Sequence, residues 1–359
     1  MAESDAGIGL RRTSEDRAAV DTLADALGGR VGLAPLLDDL NRRAAWFPAP
    51  GSAVQRSLRW NTHDCLDRRW WPQGISSSAD AGKSDTVADR RVLAVSWYAK
   101  PVDGVHMGSR ISFLDLDSLT YRHVLLVVPS LDEGQLTLDP LRVHSGGIVW
   151  HGPYLHIAAT RRGLFTARVD DLMRMPGDLR DRTSLHANGE HSASYGYRYV
   201  LPVCASYAAD NDEGVEPMRY SFVSLSRHGD ERHLTVGEYG RGAMSRRLAY
   251  YPLDRPSHRL VSAGDDRSRP VLLHTEGVGN MQGAVVVDGT WYVTRSRGPW
   301  GLGSLCVGEP GAFVEHRRAV PMGPEDVTFW PSTGTLWTAT EWPGRRWIIG
   351  VDVQRLSGG

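Results

Sequence analysis

The sequence predicts an all-β protein of the β-propeller class, and two observations support this class. Residues 144–169 contain three short apolar runs, separated by Gly152-Pro153 and by a turn at 161–163. Short runs broken by turn residues are typical of a β-meander. Diverged copies of the same unit occur elsewhere in the chain, and a ring of such units would bury the faces that one meander leaves exposed.

The copies begin at the tetrapeptides PQGI, RYSF, MQGA and PEDV. With residues 144–169 they make five repeats, spaced by roughly 40–75 residues, which brackets the blade length of a propeller. The prediction is therefore a five-bladed propeller, with six blades as the alternative count and a pair of irregular β-sandwiches as the alternative fold. The last repeat lacks a fourth strand. Residues 53–60 would supply that strand from the N-terminal side and close the ring.

Residues 1–50 are predicted to form a disordered arm and a two-helix cap, ahead of a propeller at 51–359. The arm covers residues 1–12. Apolar residues at helical spacing predict one helix at 14–27, with Thr13 as its N-cap, and a second at about 33–45. The two helices are expected either across one face of the ring or on its outer edge.

Composition restricts the classes of partner and the location. The formal net charge is −1, so no global field favours binding to nucleic acid or to an anionic membrane. No apolar run approaches the roughly 20 residues of a membrane helix, and the first residues lack the apolar core of a secretory signal. Three scattered cysteines, Cys65, Cys204 and Cys306, do not make a disulfide framework. We therefore expect a cytoplasmic protein.

Motifs for common cofactors are missing from the sequence. It contains no GxGxxG after a predicted strand, no P-loop and no GxSxG elbow. Their absence argues against nucleotide-driven chemistry and against an α/β-hydrolase. The acidic stretch at 210–216 lacks the ligand spacing of an EF-hand and is interpreted as a solvated loop.

The repeats predict where polar side chains converge. In an up-and-down meander the first strand starts at the face where the second strand ends, so both sets of residues meet at one mouth of the channel. The first-strand starts are Gln73, His144, Tyr220, Gln282 and Glu325. The second-strand ends are Trp97, Tyr98, Arg161, Glu238, Arg295 and Glu341.

We assign candidate roles to these residues by their chemistry. The candidate catalytic residues are His144, Glu325 and Tyr220, with Glu325 and His144 as an acid–base pair. The candidate substrate-binding residues are Gln73, Trp97, Tyr98, Arg161, Gln282 and Arg295, in which the arginines bind an anionic group. Glu238 and Glu341 could join Glu325 in binding Ca²⁺ or Mg²⁺. The structural alternative is a plug of salt bridges that lines the channel.

Several strings resemble one family of propeller-like proteins. WWPQGI, VLAVSWY, HSGGIVW, YGYRYVLP and GPEDVTFWPSTGTLW, among others, occur in the same order between about residue 60 and residue 352. The family comes from actinobacteria and is usually described only as secreted proteins, whereas this chain lacks an export signal. Propellers of the strictosidine-synthase, lactonase and streptogramin-lyase kinds are more remotely similar in architecture. That remote resemblance implies a site at the mouth of the channel.

Three functions remain open at this point. The first is a cofactor-independent enzyme, of the lyase or cyclase type, that uses acid–base chemistry on a small natural-product-like molecule for cyclisation, elimination or isomerisation. The second is a metal-dependent lactonase or other hydrolase. The third is a propeller that binds or organises partners without chemistry. A polar mouth without cofactor motifs favours the first function.

Overall fold

The structure is a computed structural model that describes residues 7–13, 15–176, 195–262 and 264–356. It is built mainly from strands, which confirms the all-β prediction. The four α-helices in these ranges are α1 Arg17–Leu27, α2 Leu33–Leu37, α3 Thr62–Leu66 and α4 Ser78–Ala81. None of the helices in the described ranges has the length and apolarity needed to cross a bilayer.

The strands follow one another along nearly the whole chain. In order they are β1 Ile8–Arg12, β2 Arg42–Arg43, β3 Ala45–Trp46, β4 Val54–Arg59, β5 Trp70–Ser77, β6 Val92–Ala99, β7 Ser109–Asp115, β8 Thr120–Asp132, β9 Gln135–Pro140, β10 Ile148–His151, β11 Tyr154–Ala158, β12 Leu164–Arg168, β13 Met173–Arg174, β14 Tyr199–Asn211, β15 Phe222–His228, β16 Glu231–Gly237, β17 Leu248–Pro252, β18 Arg267–Ser268, β19 Leu272–His274, β20 Met281–Val287, β21 Thr290–Arg297, β22 Gly301–Gly308, β23 Val314–Val320, β24 Pro324–Trp330, β25 Thr335–Thr340 and β26 Trp347–Asp352.

Antiparallel pairing sorts most of these strands into successive groups of four. The groups are β5-β6-β7-β8, β10-β11-β12-β14, β15-β16-β17-β19, β20-β21-β22-β23 and β24-β25-β26-β4. The outer strands of the first two groups also join each other, because β14 pairs in parallel with β8. That pairing merges the two groups into a single 13-stranded sheet.

The last group takes its outer strand from the N-terminal part of the chain. β4 pairs antiparallel with β26, with Arg59 opposite Trp347 and Val54 opposite Val351. The prediction that residues 53–60 close the last repeat is therefore confirmed. The two strands lie at opposite ends of the sequence, so their pairing holds together two parts of the chain that are far apart in sequence and adjacent in space.

The first strands of the five groups contact one another in cyclic order, from β5 through β10, β15 and β20 to β24 and back. Backbones approach too closely at the centre for side chains to stand between them. A Cβ on Gly74 would lie 2.5 Å from the amide nitrogen of Ile148, and one on Gly147 would lie 2.2 Å from that of Val223. Only glycine fits at such positions, and the middle of the ring is therefore filled by main chain.

One buried carboxyl connects several groups across this centre. Asp326 in β24 accepts hydrogen bonds from Ser224 Oγ at 2.9 Å and from the amides of Ile148 at 3.3 Å and Ile75 at 3.5 Å. Its donors therefore come from the first, second and third groups. Burial raises the pKa of Asp326, and these three hydrogen bonds oppose the rise together with one from the amide of Val327.

The N-terminal segment differs from the prediction. Ile8–Arg12 form β1, which pairs with β14 and β18, so these residues are not a disordered arm; residues 1–6 lie outside the described residues. Helix α1 is capped by Asp16, whose side chain accepts from the amide of Ala19, rather than by Thr13. The second predicted helix, at about 33–45, is shorter in the structure and covers only α2, Leu33–Leu37. Helix α1 packs on the outer strands β8 and β14, which is the outer-edge arrangement.

Candidate functional site

A cavity of about 490 Å³ opens where the first strands begin. We call it the mouth cavity. Five of the predicted residues line it together, namely Gln73, His144, Gln282, Glu325 and Glu341. The rest of its lining is Gly146, Thr160, Arg219, Ser221, Tyr239, Arg241 and Met244. The repeats therefore place residues from distant parts of the sequence at one opening.

Glu325 is the most deeply buried acid of the mouth cavity, with 2% of its surface exposed. Gln282 Nε2 donates to its Oε1 at 3.1 Å, and Thr294 Oγ1 donates to its main-chain carbonyl at 2.7 Å. Burial raises the pKa of Glu325 well above its ordinary value, and the nearby negative charges of Glu341 and Asp326 raise it further. The raised pKa favours the protonated form of this carboxyl, which is the form that can donate a proton.

Glu341 is the second carboxyl residue that lines the mouth cavity. Gln73 Nε2 approaches its Oε2 at 3.4 Å, and its main-chain carbonyl accepts from Arg346 Nε at 2.8 Å. Burial raises the pKa of Glu341 to about 7, while the charge of Lys100, the Gln73 contact and Arg346 oppose the rise. Near neutral pH the Glu341 carboxyl exchanges readily between its acid and base forms, as a general base requires.

His144 projects into the mouth cavity beside Tyr98. Its ring is exposed to the cavity, and its centroid lies 4.3 Å from that of the Tyr98 ring. The enclosure of the cavity by the fold and the charge of Lys100 lower the pKa of His144. The imidazole is therefore neutral at neutral pH, so it can donate or accept a hydrogen bond without adding charge.

Six predicted residues are outside the lining of the mouth cavity, namely Tyr220, Arg161, Arg295, Trp97, Glu238 and Tyr98, the last of which packs against the ring of His144. Tyr220 is buried, and its hydroxyl donates to the carbonyl of Gly9 at 3.0 Å and contacts the Tyr251 hydroxyl at 3.0 Å. Arg161 is exposed on a surface turn. Arg295 forms an ion pair with Glu315 at 3.2 Å. The predicted catalytic role of Tyr220 and the binding roles of both arginines therefore need correction.

The reason is the alternation of side chains along extended backbone. Arg219 and Ser221 both line the mouth cavity, whereas Tyr220 between them points to the opposite side and into the core. Successive residues of a strand face opposite ways, so an alignment of repeats that is uncertain by one residue selects the wrong face.

Trp97 and Glu238 are buried in the interior of the protein, away from the mouth cavity. Trp97 is fully buried, with its ring centroid 4.9 Å from that of Trp60. Both oxygens of Glu238 accept from the Arg247 guanidinium, at 2.8 and 3.0 Å. Burial alone would raise the pKa of Glu238, but the hydrogen bonds from Arg247 and Arg219 hold it below its ordinary value. Glu238 is therefore a structural ion-pair partner.

The proposed Ca²⁺ or Mg²⁺ site loses one of its ligands as a result. Glu341 lies in the mouth cavity, and Glu238 is enclosed by arginine. Among the described residues, no three His, Cys, Asp or Glu side chains are grouped so that they could hold a metal ion. Hard cations need several converging oxygen ligands, and only two of the three carboxyls predicted for this role, Glu325 and Glu341, line the mouth cavity.

The sequence-based prediction missed the loop between β16 and β17. Tyr239, Arg241 and Met244 of this loop line the mouth cavity, and Arg241 contacts the Tyr239 hydroxyl and covers its ring. The stretch EYGRGAMS, with a tyrosine and an arginine directly after a second strand, was the signal available in the sequence.

Comparisons with known proteins give remote structural likeness only. No protein-family model matches the sequence, and no curated protein matches it. A gluconolactonase from Xanthomonas campestris is similar at 11% identity and a TM-score of 0.37, over 87% of this chain and 97% of that chain. A GH43_1 enzyme from Xanthomonas citri is similar at 12% identity and a TM-score of 0.36, over 89% of this chain and 92% of that chain.

The Cps50 (Swd1) β-propeller domain from Myceliophteria thermophila is similar at 10% identity and a TM-score of 0.36, over 83% of this chain and 98% of that chain. At these scores the similarity implies nothing about the chemistry of this chain.

Proposed function

We propose that this protein is a five-bladed β-propeller enzyme that performs acid–base chemistry on a small molecule in the mouth cavity without a cofactor. The five four-stranded groups would be its blades, and their cyclic contacts support that count. The observation that carries the enzymatic proposal is the pair of carboxyls Glu325 and Glu341, which line one cavity and both have raised pKa values. Environments that separate the pKa values of neighbouring acids are typical of catalytic sites.

The two carboxyls would act as the general base and the general acid of the reaction. Glu341, with a pKa of about 7, would take a proton from a carbon or hydroxyl of the substrate. Protonated Glu325, held by Gln282, would give a proton to the oxygen that gains electron density or departs. One proton enters and one leaves, so cyclisation, elimination and isomerisation are all balanced. Neutral His144 would orient a polar group of the substrate.

The remaining lining defines the size and polarity of the substrate. About 490 Å³ lies within the range of roughly 300–1,000 Å³ that is usual for small-molecule pockets. Arg219 and Arg241 add positive charge to the lining, and Met244 adds an apolar contact. A small natural-product-like molecule with several oxygen atoms fits this arrangement.

The salt-bridge plug accounts for only part of the predicted ring. Glu238 and Arg295 are paired with Arg247 and Glu315, as a structural plug requires. Within the described part of the chain, neither Glu325 nor Glu341 forms an ion pair with an arginine or lysine. Burying two carboxyls without such partners costs several kcal/mol, and acids with perturbed pKa values of this kind cluster at functional sites.

Three further assignments belong with this proposal. We propose membership of the actinobacterial propeller-like family on the strings quoted above, and a cytoplasmic location. We also propose that residues 51–359 form the propeller, with residues 1–50 as an outer appendage.

Carbon-13 NMR of glutamate-labelled protein tests the protonation states directly. One carboxyl should titrate near pH 7 and disappear from the spectrum of Glu341→Gln. A second should stay protonated at pH 7 and disappear in Glu325→Gln. If all glutamate carboxyls are ionised at pH 6, the proposal is wrong.

Turnover is then tested on a panel of small lactones, hydroxy ketones and epoxy alcohols. Glu325→Gln and Glu341→Gln should each lower turnover of an accepted compound by at least about a hundredfold, the usual worth of a general acid or base. Arg161→Gln, on the exposed turn, is the control and should be as active as wild type. Full activity in both glutamine variants would contradict the assignment.

A further inference from the structure

A second cavity, of about 560 Å³, lies beside the first four-stranded group and shares no lining residue with the mouth cavity. Four arginines line it, and we call it the arginine cavity. They come from separate elements: Arg42 from β2, Arg110 from β7, Arg122 from β8 and Arg198 from the residue before β14. Sequence patterns did not indicate this cluster, because its members are distributed over more than 150 residues.

Two carboxylates hold the guanidinium groups in place. Asp64, which is fully buried, contacts Arg42 at 3.2 Å and Arg110 at 3.4 Å. Asp39 contacts Arg122 at 3.1 Å and Arg198 at 2.9 Å. Each guanidinium carries five N–H donors, so one carboxylate contact orients it and leaves further donors for a ligand.

The charge of the arginine cavity is not balanced by its own acids. Four arginines face Asp64, Asp39 and Asp67, which leaves one positive charge in excess. The arginines are also close enough to repel one another: after burial, the charges of Arg198 and Arg42 lower the pKa of Arg122. An anion in this space would relieve the repulsion between these cations.

Arg110 is the most buried of the four arginines. It is 4% exposed, and its Nε–H has no acceptor among the described residues. Its other nitrogens contact Asp64 and the Tyr197 hydroxyl, the latter at 3.1 Å. The Nε–H is enclosed by protein, so any contact of Arg110 with a ligand is made by the remaining N–H groups of its terminal nitrogens.

The walls of the cavity leave space for more than a simple ion. A water molecule occupies about 30 Å³ of liquid, so a cavity of about 560 Å³ accommodates an organic group as well as an anion. Trp70 and Tyr197 provide aromatic surface next to Arg110, whose guanidinium carbon lies 4.4 Å from the centre of the Trp70 ring. A ligand can therefore place its anionic group on the arginines and the rest of its structure against these rings.

We propose that the arginine cavity binds the phosphate group of a small phosphorylated molecule. Arginine forks match the oxygen geometry of phosphate, and several forks around one space suit a dianion with three free oxygens better than a carboxylate with two. The source of the phosphate is either a phosphate monoester or free inorganic phosphate. This binding does not depend on the chemistry of the mouth cavity.

Isothermal titration calorimetry on the full chain tests the proposal with two probes, inorganic phosphate and glucose 6-phosphate. Both should show saturable binding to the wild type. Arg42→Gln and Arg198→Gln should each weaken it by about tenfold or more, since one charge-assisted hydrogen bond is lost. Arg198→Lys keeps the charge without the fork, and we expect it to lie between Arg198→Gln and wild type.

Arg11→Gln provides the matched control. Arg11 forms an ion pair with Asp210 at 2.7 Å, and its removal changes the net charge by the same amount outside both cavities. Phosphate affinity should stay at the wild-type value, and melting temperatures verify that every variant is folded. Tighter binding of the ester than of the inorganic ion identifies an ester as the ligand, and the reverse order identifies free phosphate.

Three results would overturn the phosphate site. They are the absence of saturable binding by both probes, equal affinity in the arginine-cavity variants and wild type, and tighter binding of citrate than of either phosphate compound.

Discussion

The mouth cavity and the arginine cavity are similar in size, but the pKa values of the buried acids at the two sites are shifted in opposite directions. In the mouth cavity, Glu325 and Glu341 accept only amide hydrogen bonds at their carboxyls, and burial raises the pKa of each. In the arginine cavity, burial would also raise the pKa of Asp64, but His123, Arg110 and the Tyr121 hydroxyl hold it below its ordinary value. The comparison shows that the partner, and not the depth of burial, decides whether an acid is charged.

One residue connects the backbones of the two sites. Arg346 is fully buried; its Nε donates to the main-chain carbonyl of Glu341 at 2.8 Å, and its Nη1 donates to that of Asp64 at 2.7 Å. Both acceptors are carbonyls, so Arg346 connects the backbones of the two sites without pairing with either carboxyl. Its charge still acts electrostatically on both sites, because it opposes the rise in the pKa of Glu341 and interacts with the charge of Asp64.

The largest effect is expected from Asp64→Asn. The substitution keeps the size of the side chain and removes the negative charge that pairs with Arg42 and Arg110. Removing one partner from a buried ion pair costs about 3–5 kcal/mol, and urea unfolding should show a loss of that order. Asp117→Asn is the control, because Asp117 pairs with Arg91 on the exposed surface and should cost less than about 1 kcal/mol. If both variants lose the same free energy of unfolding, the buried Asp64 contributes no more to stability than the exposed Asp117, and the prediction is wrong.

The next effect concerns the pH dependence of Glu341. Its pKa is about 7 in the folded protein and about 4.3 in the unfolded chain, so its contribution to stability is fully present below pH 4.3 and is lost as the pH rises through 7. Glu341→Gln cannot ionise and should become more stable than wild type across this window, by on the order of 3 kcal/mol at pH 8. Urea unfolding at pH 4.5 and pH 8 measures the difference.

A gap between Glu341→Gln and wild type that stays constant from pH 4.5 to pH 8 would contradict the raised pKa. Asp64 should behave in the opposite way, since its depressed pKa stabilises the fold above the ordinary value of about 3.9 and this contribution is lost as the pH falls below that value.

The smallest effect is expected from Glu325→Gln. Protonated glutamic acid and glutamine are both neutral and similar in size, so the free energy of unfolding should change by less than about 1 kcal/mol at neutral pH. Glu238→Gln is the matched control, because that glutamate is ionised and paired with Arg247, and its loss should cost about 3–5 kcal/mol. A loss above 2 kcal/mol for Glu325→Gln would mean that its carboxyl is charged in the folded protein.

The sequence predicted the repeating strands better than it predicted the N-terminal region. Apolar alternation and turn residues identified the first strands, and counting four strands per repeat exposed the gap that β4 fills. The strand β1 was missed because its partners, β14 and β18, are remote in sequence and its own five residues carry no distinctive pattern.

The site was predictable where the backbone position alone was sufficient. First-strand starts gave Gln73, Gln282 and Glu325, because these strands are held at the axis by close main-chain packing. Second-strand ends were less predictable, since a shift of one residue exchanges Tyr98 for the core residue Trp97. The arginine cavity could not be predicted, because its residues become neighbours only when the first group, the α3 segment and the turn before β14 pack together.

The pairing of β4 with β26 has a consequence for how the protein is made. β4 leaves the ribosome early, and its partner β26 follows roughly 290 residues later, which at about 5–20 residues per second is a delay of roughly 15–60 s. During that interval one edge of β4 has no native partner, and unpaired edges are where chains associate wrongly. Polar and charged residues in β4, namely Gln55, Arg56, Ser57 and Arg59, make that edge a poor template for aggregation while synthesis is completed.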